Sequence, residues 1–321
     1  MLVQSTTDKT GNLSQHDRPE NYSNISHFFH LTFSSSLAQK ETFPNILPLD
    51  FDIILYKGGD ELQAQLQVMS SYSLLHSPAK LTELVDQSKA RGYSAIALTD
   101  INNLYGSIDF YKYAQKVGIK PIIGLTMEIS GIIDTENIYS LIVLAKNNQG
   151  YQNLIKLSSK IMSTKEAVAI EDLEAYLSNL YVITPASEAE ILKTDVSEYA
   201  AKLTELLDPE SLFLGVSLDS DQLDNVKNIR QTSQTTELPL VALGDVRYVN
   251  EDDHLAYQVV NNLRTGIRFE NLDQVVEKGD HYLRTYHDFA EEFAEVDMNE
   301  AVVNADKIAD NCNVTIEFKE T

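Results

Sequence analysis

What this chain has least of is cysteine. One residue in 321, Cys312, is a cysteine, so there is neither a disulfide framework nor a cysteine-rich metal site. A reducing cytoplasm fits that usage. Positive charge is scarce too: 25 Lys and Arg stand against 48 Asp and Glu, a formal net charge of −23. A surface of that sign repels phosphate and argues against a DNA-binding face on this piece. Its plain reading is a solvated acidic exterior that favours solubility. No apolar run approaches the roughly 20 residues of a membrane span, and the N-terminus lacks the basic-then-apolar order of a signal peptide. The patterns G-x-x-x-x-G-K-[ST], G-x-S-x-G and H-E-x-x-H are all missing, which removes their chemistries.

What is present is organised around Leu62–Glu128. Three apolar segments, Gln63–Met69, Tyr93–Leu98 and Ile119–Leu125, alternate with two helical ones, and each apolar segment runs into a polar loop. That is the βαβ pattern of a parallel sheet, whose loops after the strands gather at one end and carry the site. Ser77 and Pro78 look like a helix start, and Gly92 and Gly118 look like helix stops. Further strands are expected at Tyr139–Lys146, Tyr181–Thr184, Leu212–Leu218 and Leu238–Leu243. Helices are expected at Asn147–Met162, Ile170–Leu180, Ser187–Leu207, Ser220–Ser233, Glu251–Thr265 and Glu300–Cys312. By alternation alone this is α/β, either a barrel or a doubly wound sheet.

Several stretches carry a resemblance. They are Ser70-Ser71-Tyr72-Ser73-Leu74-Leu75-His76-Ser77, Thr99-Asp100-Ile101-Asn102-Asn103-Leu104-Tyr105-Gly106 and Lys120-Pro121-Ile122-Ile123-Gly124, followed by LAKNNQGYQNLIKLSS, Asp245-Val246-Arg247-Tyr248 and a closing NADKIADNCNVTIEF. Order and spacing together resemble the start of bacterial DNA polymerase III alpha subunits, which open with a PHP (polymerase and histidinol phosphatase) domain. The resemblance covers about residues 62–319. It implies a distorted (β/α)7 barrel, TIM-like, over residues 62–321. Residues 1–61 are expected to be an irregular extension before it: Met1–Asn24 is polar with no sustained period, and Ser26–Ser36 and Phe43–Tyr56 are apolar but irregular. His27 and His30 lie in that extension and are read as an incidental pair.

Active members of the family bind two or three metal ions at the strand ends and hydrolyse phosphoesters, chemistry that needs imidazoles and carboxylates. Here the H-x-H of the first strand is Gln67 and Met69, and the T-D-H is Thr99-Asp100-Ile101. The acidic place after the third strand is Thr126, with Glu128 two residues on. A Cys or His place falls near Ala186, and the D-x-H is Asp245-Val246-Arg247. His76 stands where the family uses aspartate or histidine. An amide is a poor ligand, a thioether is too soft, and isoleucine has no donor. The expectation is a vestigial pocket with no bound metal, in which Asp245 and Arg247 form an ion pair, and Asp100 is a loop cap. Tyr72 and Tyr105 are expected to pack, Lys146 to make a salt bridge, and Cys312 to be buried.

The resemblance then implies the structural module of a replicative polymerase, packed against a polymerase thumb and palm, with replisome subunits as partners through the whole protein. Magnesium belongs to the polymerase region, which lies downstream in the family. The alternative is a divergent metal-dependent phosphoesterase or 3′–5′ exonuclease that works through His76, Asp100, Glu128 and Asp245. A further expectation concerns the start. Leu62-Gln63-Ala64-Gln65-Leu66 resembles the family's M-x-A-Q-L opening, and Lys57-Gly58-Gly59 can be encoded as a ribosome-binding sequence. Translation from a leucine codon at residue 62 is expected.

Overall fold

The computed structural model describes residues 62–164, 166–186, 189–219, 223–267 and 279–318. The expectations for residues 1–61, including the start at Leu62 and the His27–His30 pair, lie outside the described residues.

Seven strands form one sheet in chain order, β1 (Ala64–Gln65), β2 (Ala95–Leu98), β3 (Lys120–Ser130), β4 (Ile138–Ala145), β5 (Leu180–Thr184), β6 (Leu212–Val216) and β7 (Leu240–Ala242). All neighbours are parallel except β3–β4 and β4–β5, because β3 and β4 form a hairpin with no helix between them. The sheet's two edges meet. Met69 donates its N–H to the Val246 carbonyl at 2.9 Å, and Val246 donates to the Gln67 carbonyl at 3.0 Å, a parallel bridge between Val68 and Val246. The fold is the distorted (β/α)7 barrel that the resemblance implied, and no sheet edge between β1 and β7 is left unpaired at this point.

Among the described residues eight α-helices flank the sheet: α1 (Leu81–Ala90), α2 (Ser107–Val117), α3 (Asn148–Ser163), α4 (Val196–Leu206), α5 (Leu223–Thr236), α6 (His254–Thr265), α7 (Tyr286–Glu295) and α8 (Asn299–Asn311). Gly118 ends α2 at φ +80°, a left-handed position that glycine reaches without a steric penalty. Three expectations need correction. Ser77 does not cap α1: the N-cap is Lys80, and the Ser77 hydroxyl instead donates to the carbonyls of Met69 and Arg247. Ile170–Tyr176 is a 3₁₀ segment rather than an α-helix. Helix α7 has no counterpart in the sequence reading, although Tyr286, Phe289 and Phe293 supply a buried row at helical spacing.

Period-two alternation sorts the strands. Ala64, Leu66, Ala95, Ala97, Ile122, Ile142, Leu144, Ile183, Val241 and Leu243 share one buried cluster with Ala305, Ile308, Ala309 and Cys312 of α8. Their neighbours in sequence, such as Ile96, Leu98, Ile123, Val143 and Val182, belong to clusters with the flanking helices. The barrel interior is therefore a packed core, with α8 against the starts of β1 and β7. On β1 the alternation slips. Leu66 belongs to the interior, yet Gln67 and Met69 line the cleft above it, and strand pairing is interrupted between Gln65 and Val68. One extra residue re-aims the end of the strand, as bulges do.

Asp306 holds α8 in place. Its buried carboxylate accepts the Ala64 N–H at 2.9 Å and the Tyr286 hydroxyl at 2.7 Å, which joins α8 to β1 and α7. Asp306→Ala leaves the Ala64 N–H without this acceptor in the core, and it should destabilise the fold by about 1–3 kcal/mol. The urea midpoint reads this directly, with the m-value unchanged. A midpoint equal to wild type would show that the carboxylate holds nothing.

Candidate functional site

Along β2, β3, β4, β5 and β7 the inward row continues past the apolar core and turns polar. Two steps beyond Ala97 come Thr99 and then Ile101. Beyond Ile122 come Thr126 and Glu128, and beyond Leu243 come Asp245 and Arg247. The result is a cleft of about 200 Å³ at the C-terminal ends of the parallel strands and the N-terminal end of antiparallel β4, lined chiefly by Gln67, Met69, His76, Ile101, Thr126, Glu128, Ser140, Pro185, Lys193, Arg247 and Arg264.

Its back wall is a charged network. Asp245, left-handed at φ +39°, accepts the Gln67 side-chain amide at 2.9 Å and the Arg247 guanidinium at 2.9 Å and 3.2 Å. The pair is largely withdrawn from water, with Arg247 19% and Asp245 5% exposed. Arg247 also donates to the Tyr257 hydroxyl on α6 at 3.0 Å. Burial alone would push the Asp245 carboxyl up. The adjacent Arg247 and His281 outweigh it and hold it below the usual carboxylate range, while the pair keeps Arg247 protonated.

On the opposite side Asp100 is sealed under the loop after β1. It accepts the Ser70 N–H and the Ser70 hydroxyl at 2.8 Å each, and the Ser73 hydroxyl at 2.6 Å. Burial raises its pKa despite those hydrogen bonds. Asp100 does not line the cleft, whereas its neighbour Ile101 does. Glu128 accepts the Asn102 side-chain amide at 2.9 Å. His76 is driven down to about 4 by burial first, then by Arg264 and Arg247, so it is a neutral imidazole across the ordinary pH range.

Of the other placements, Cys312 is as expected and the rest differ. Ala186 is buried behind the cleft, where Pro185 presents the surface instead. Tyr72 and Tyr105 stay largely exposed and do not line the cleft. The Tyr72 ring lies over Gly106, and the Tyr105 hydroxyl reaches Met162 Sδ at 3.7 Å. Lys146 makes no salt bridge among the described residues. It donates to the Ser211 hydroxyl and lies 4.3 Å over the Tyr181 ring. Cys312 is buried, and burial drives its thiol up to about 12.

A second charged group beside the first was not legible. Asp219, just after β6, accepts Arg284 at 3.1 Å, and Arg284 Nε also meets Glu292 at 3.2 Å. His281 Nδ1 lies between the two groups, 3.4 Å from Asp245 and 3.8 Å from Asp219. Burial carries Asp219 up to about 6, against the pull of His281 and Arg284. The one available signal was an aspartate just past a strand end. Lys193 and Arg264 gave no signal at all, since each reaches the cleft from a separate loop or helix.

A multinuclear metal cluster does not fit these side chains. Among the described residues no three His, Cys, Asp or Glu side chains converge as a metal group. Asp245 is occupied by a guanidinium and Asp100 by three hydrogen bonds, and Ile101 offers no lone pair. The Gln67 Oε1, buried without a partner among the described residues, is a single weak oxygen donor. A fixed cation at Arg247 also opposes a divalent ion.

A β-strand ring with its cleft at the strand ends defines an α/β barrel, and comparison with known proteins narrows it. Residues 65–216 match the PHP domain family. The chain is 36% identical to DNA polymerase III subunit alpha of Bacillus subtilis over 211 residues, which is 63% of this chain and 19% of that protein. It is 30% identical to the same subunit of Halalkalibacterium halodurans over 78% of this chain and 23% of that protein. An amidohydrolase structure from Chromobacterium violaceum aligns at 10% identity and TM-score 0.42, covering 58% of this chain and 88% of that one. The chain carries a PHP domain homologous to the N-terminal region of DNA polymerase III alpha subunits. It spans less than a quarter of the length of these two curated relatives.

The titration of His76 gives a test. Its folded pKa of about 4 lies below the unfolded 6.5. Its contribution to stability is full above the unfolded value and is lost as pH falls from 6.5 toward 4. Asp219 has the opposite sign, with stability present below 3.8 and lost as pH rises through about 6. His76→Gln removes the first contribution alone. Relative to wild type the variant should gain stability at pH 4.5 compared with pH 7.5, by less than about 1 kcal/mol because the ring is half exposed. A pH-independent difference in urea midpoints between the two proteins would contradict the placement of His76.

Proposed function

We propose that this chain is the structural PHP module of a replicative DNA polymerase III alpha subunit, with an ion-pair network where active PHP proteins hold metal. The observation that carries the reading is Arg247, whose guanidinium occupies Asp245 in the back wall of the cleft. Gln67 at the end of β1, Asp245 after β7 and Tyr257 on α6 are joined through it. That path crosses the seam where the barrel closes. In this reading protein contacts do the mechanical work that metal bridges do elsewhere.

DNA synthesis and its magnesium belong to the polymerase region of such a subunit. This module contributes packing against a polymerase thumb and palm, on the same or a neighbouring chain, and joins replisome subunits through the whole protein. Its 48 acidic against 25 basic residues support a module that does not itself grip nucleic acid. The hydrolase alternative is weakly supported. Of its four groups His76 and Glu128 line the cleft, whereas Asp100 and Asp245 are sealed in hydrogen bonds.

Elemental analysis after gel filtration should find well under one equivalent of zinc or manganese, and a chromogenic phosphodiester should not be hydrolysed with added manganese. A control restores the ligand set with Gln67→His, Met69→His, Ile101→His and Arg247→His together, and this variant should retain metal. Stoichiometric metal in the wild type, with hydrolysis lost in His76→Ala, would overturn the proposal.

A further inference from the structure

Helix α6 is amphipathic with its faces reversed. Leu255, Val259 and Leu263 recur every four residues and form a single row, extended by Ile267 just past the Gly266 stop. They are 44%, 38%, 65% and 60% exposed. No residue of α6 is fully buried. Tyr257, Asn261 and Arg264 lie on the other side of the wheel, and it is this polar side that meets the barrel. Tyr257 takes the Arg247 hydrogen bond and packs its ring against Tyr248 and His281, and Arg264 lines the cleft. The helix cannot roll to bury its apolar row without breaking those contacts. An outward row of this length on a polar-pinned helix marks a surface that another element covers.

We propose that the Leu255–Val259–Leu263–Ile267 row docks a basic-flanked amphipathic helix of the polymerase polypeptide, which makes up more than three quarters of these two curated relatives beyond the matched part. This rests on the reading of the chain as a polymerase module. Two observations select the occupant. The helix is preceded by Glu251-Asp252-Asp253, an acidic turn at one end of the row, on a chain of net charge −23. A second copy would bring the same acidic turn and the same net charge, and would be repelled. An apolar helix with Lys or Arg beside its end satisfies both the row and the turn. Row spacing at i, i+4 suits ridge-into-groove packing of two helices.

The test uses the whole 321-residue chain. The probe is the part of Bacillus subtilis DNA polymerase III subunit alpha outside its matched region, purified separately. Calorimetric titration should show association. Leu255→Ser, Val259→Ser and Leu263→Ser should each weaken it at least tenfold, with the thermal midpoint of the chain unchanged. Charge reversal at Asp252 to Lys, which spares the Asp253 carboxylate that caps Asn250, should weaken it and flatten its salt dependence. Association that survives the α6 variants would overturn this inference and leave the polymerase-module reading standing, while no association at all would count against both. Two further outcomes also overturn it. One is a concentration-dependent dimer lost in Leu263→Ser. The other is slow hydrogen exchange on α6 in the free chain that becomes fast when residues 1–61 are deleted.

Discussion

The barrel depends on how its first and last strands are held together. In a ring of seven strands only one seam lacks a continuous ladder, the one between β1 and β7. Here it is carried by the Val68–Val246 bridge and by the hydrogen bonds of Asp245 to Gln67 and Arg247. β1 is only two residues long as a strand, so the backbone offers little pairing to close the ring. A buried carboxylate in a left-handed conformation, answered by a guanidinium and an amide, supplies the rest. The arrangement persists because each member leaves another unsatisfied if removed. It also contributes to the electrostatics of the cleft, since Arg247, with Arg264, adds to the burial that lowers the His76 pKa.

The same network gives the site its character. A metal cluster and an Asp–Arg pair solve one problem, the mutual repulsion and desolvation of polar groups at the strand ends, in incompatible ways. Carboxylates around a divalent ion must be free to donate lone pairs. Asp245 spends its oxygens on Arg247 and Gln67, and Asp100 spends its oxygens on Ser70 and Ser73. What is left in the cleft is a weak and heterogeneous donor set with three cationic side chains around it.

Much of this was legible in the residues. Strand positions followed from short apolar runs bounded by glycine or polar loops, and the placement of Asp245 beside Arg247 followed from period two at a strand end. The antiparallel β3–β4 hairpin was harder to foresee, because two apolar runs around a turn do not announce their direction relative to the rest of the sheet. The one-residue slip on β1 was invisible for a similar reason. Leu66 and Gln67 each look acceptable on either face, and only the bridge to Val246 decides. Ser77 and Pro78 carried the right chemistry for a helix start, but the serine hydroxyl found two carbonyl acceptors instead. The Asp219–Arg284–Glu292 group joins residues from the loop after β6, the loop before α7 and α7 itself, and local pattern holds no information about such a meeting.

The central claim is that Asp245 and Arg247 work as a unit in the tie across the seam. A double-mutant cycle on stability with Asp245→Asn, Arg247→Met and the pair together measures that directly. Arg247→Met alone should cost about 3 kcal/mol, because it leaves a buried carboxylate without its cation. The coupling energy between the two sites should reach at least about 1.5 kcal/mol, with the double variant less damaged than the sum of the singles. Strict additivity, within about 0.5 kcal/mol, would contradict the account.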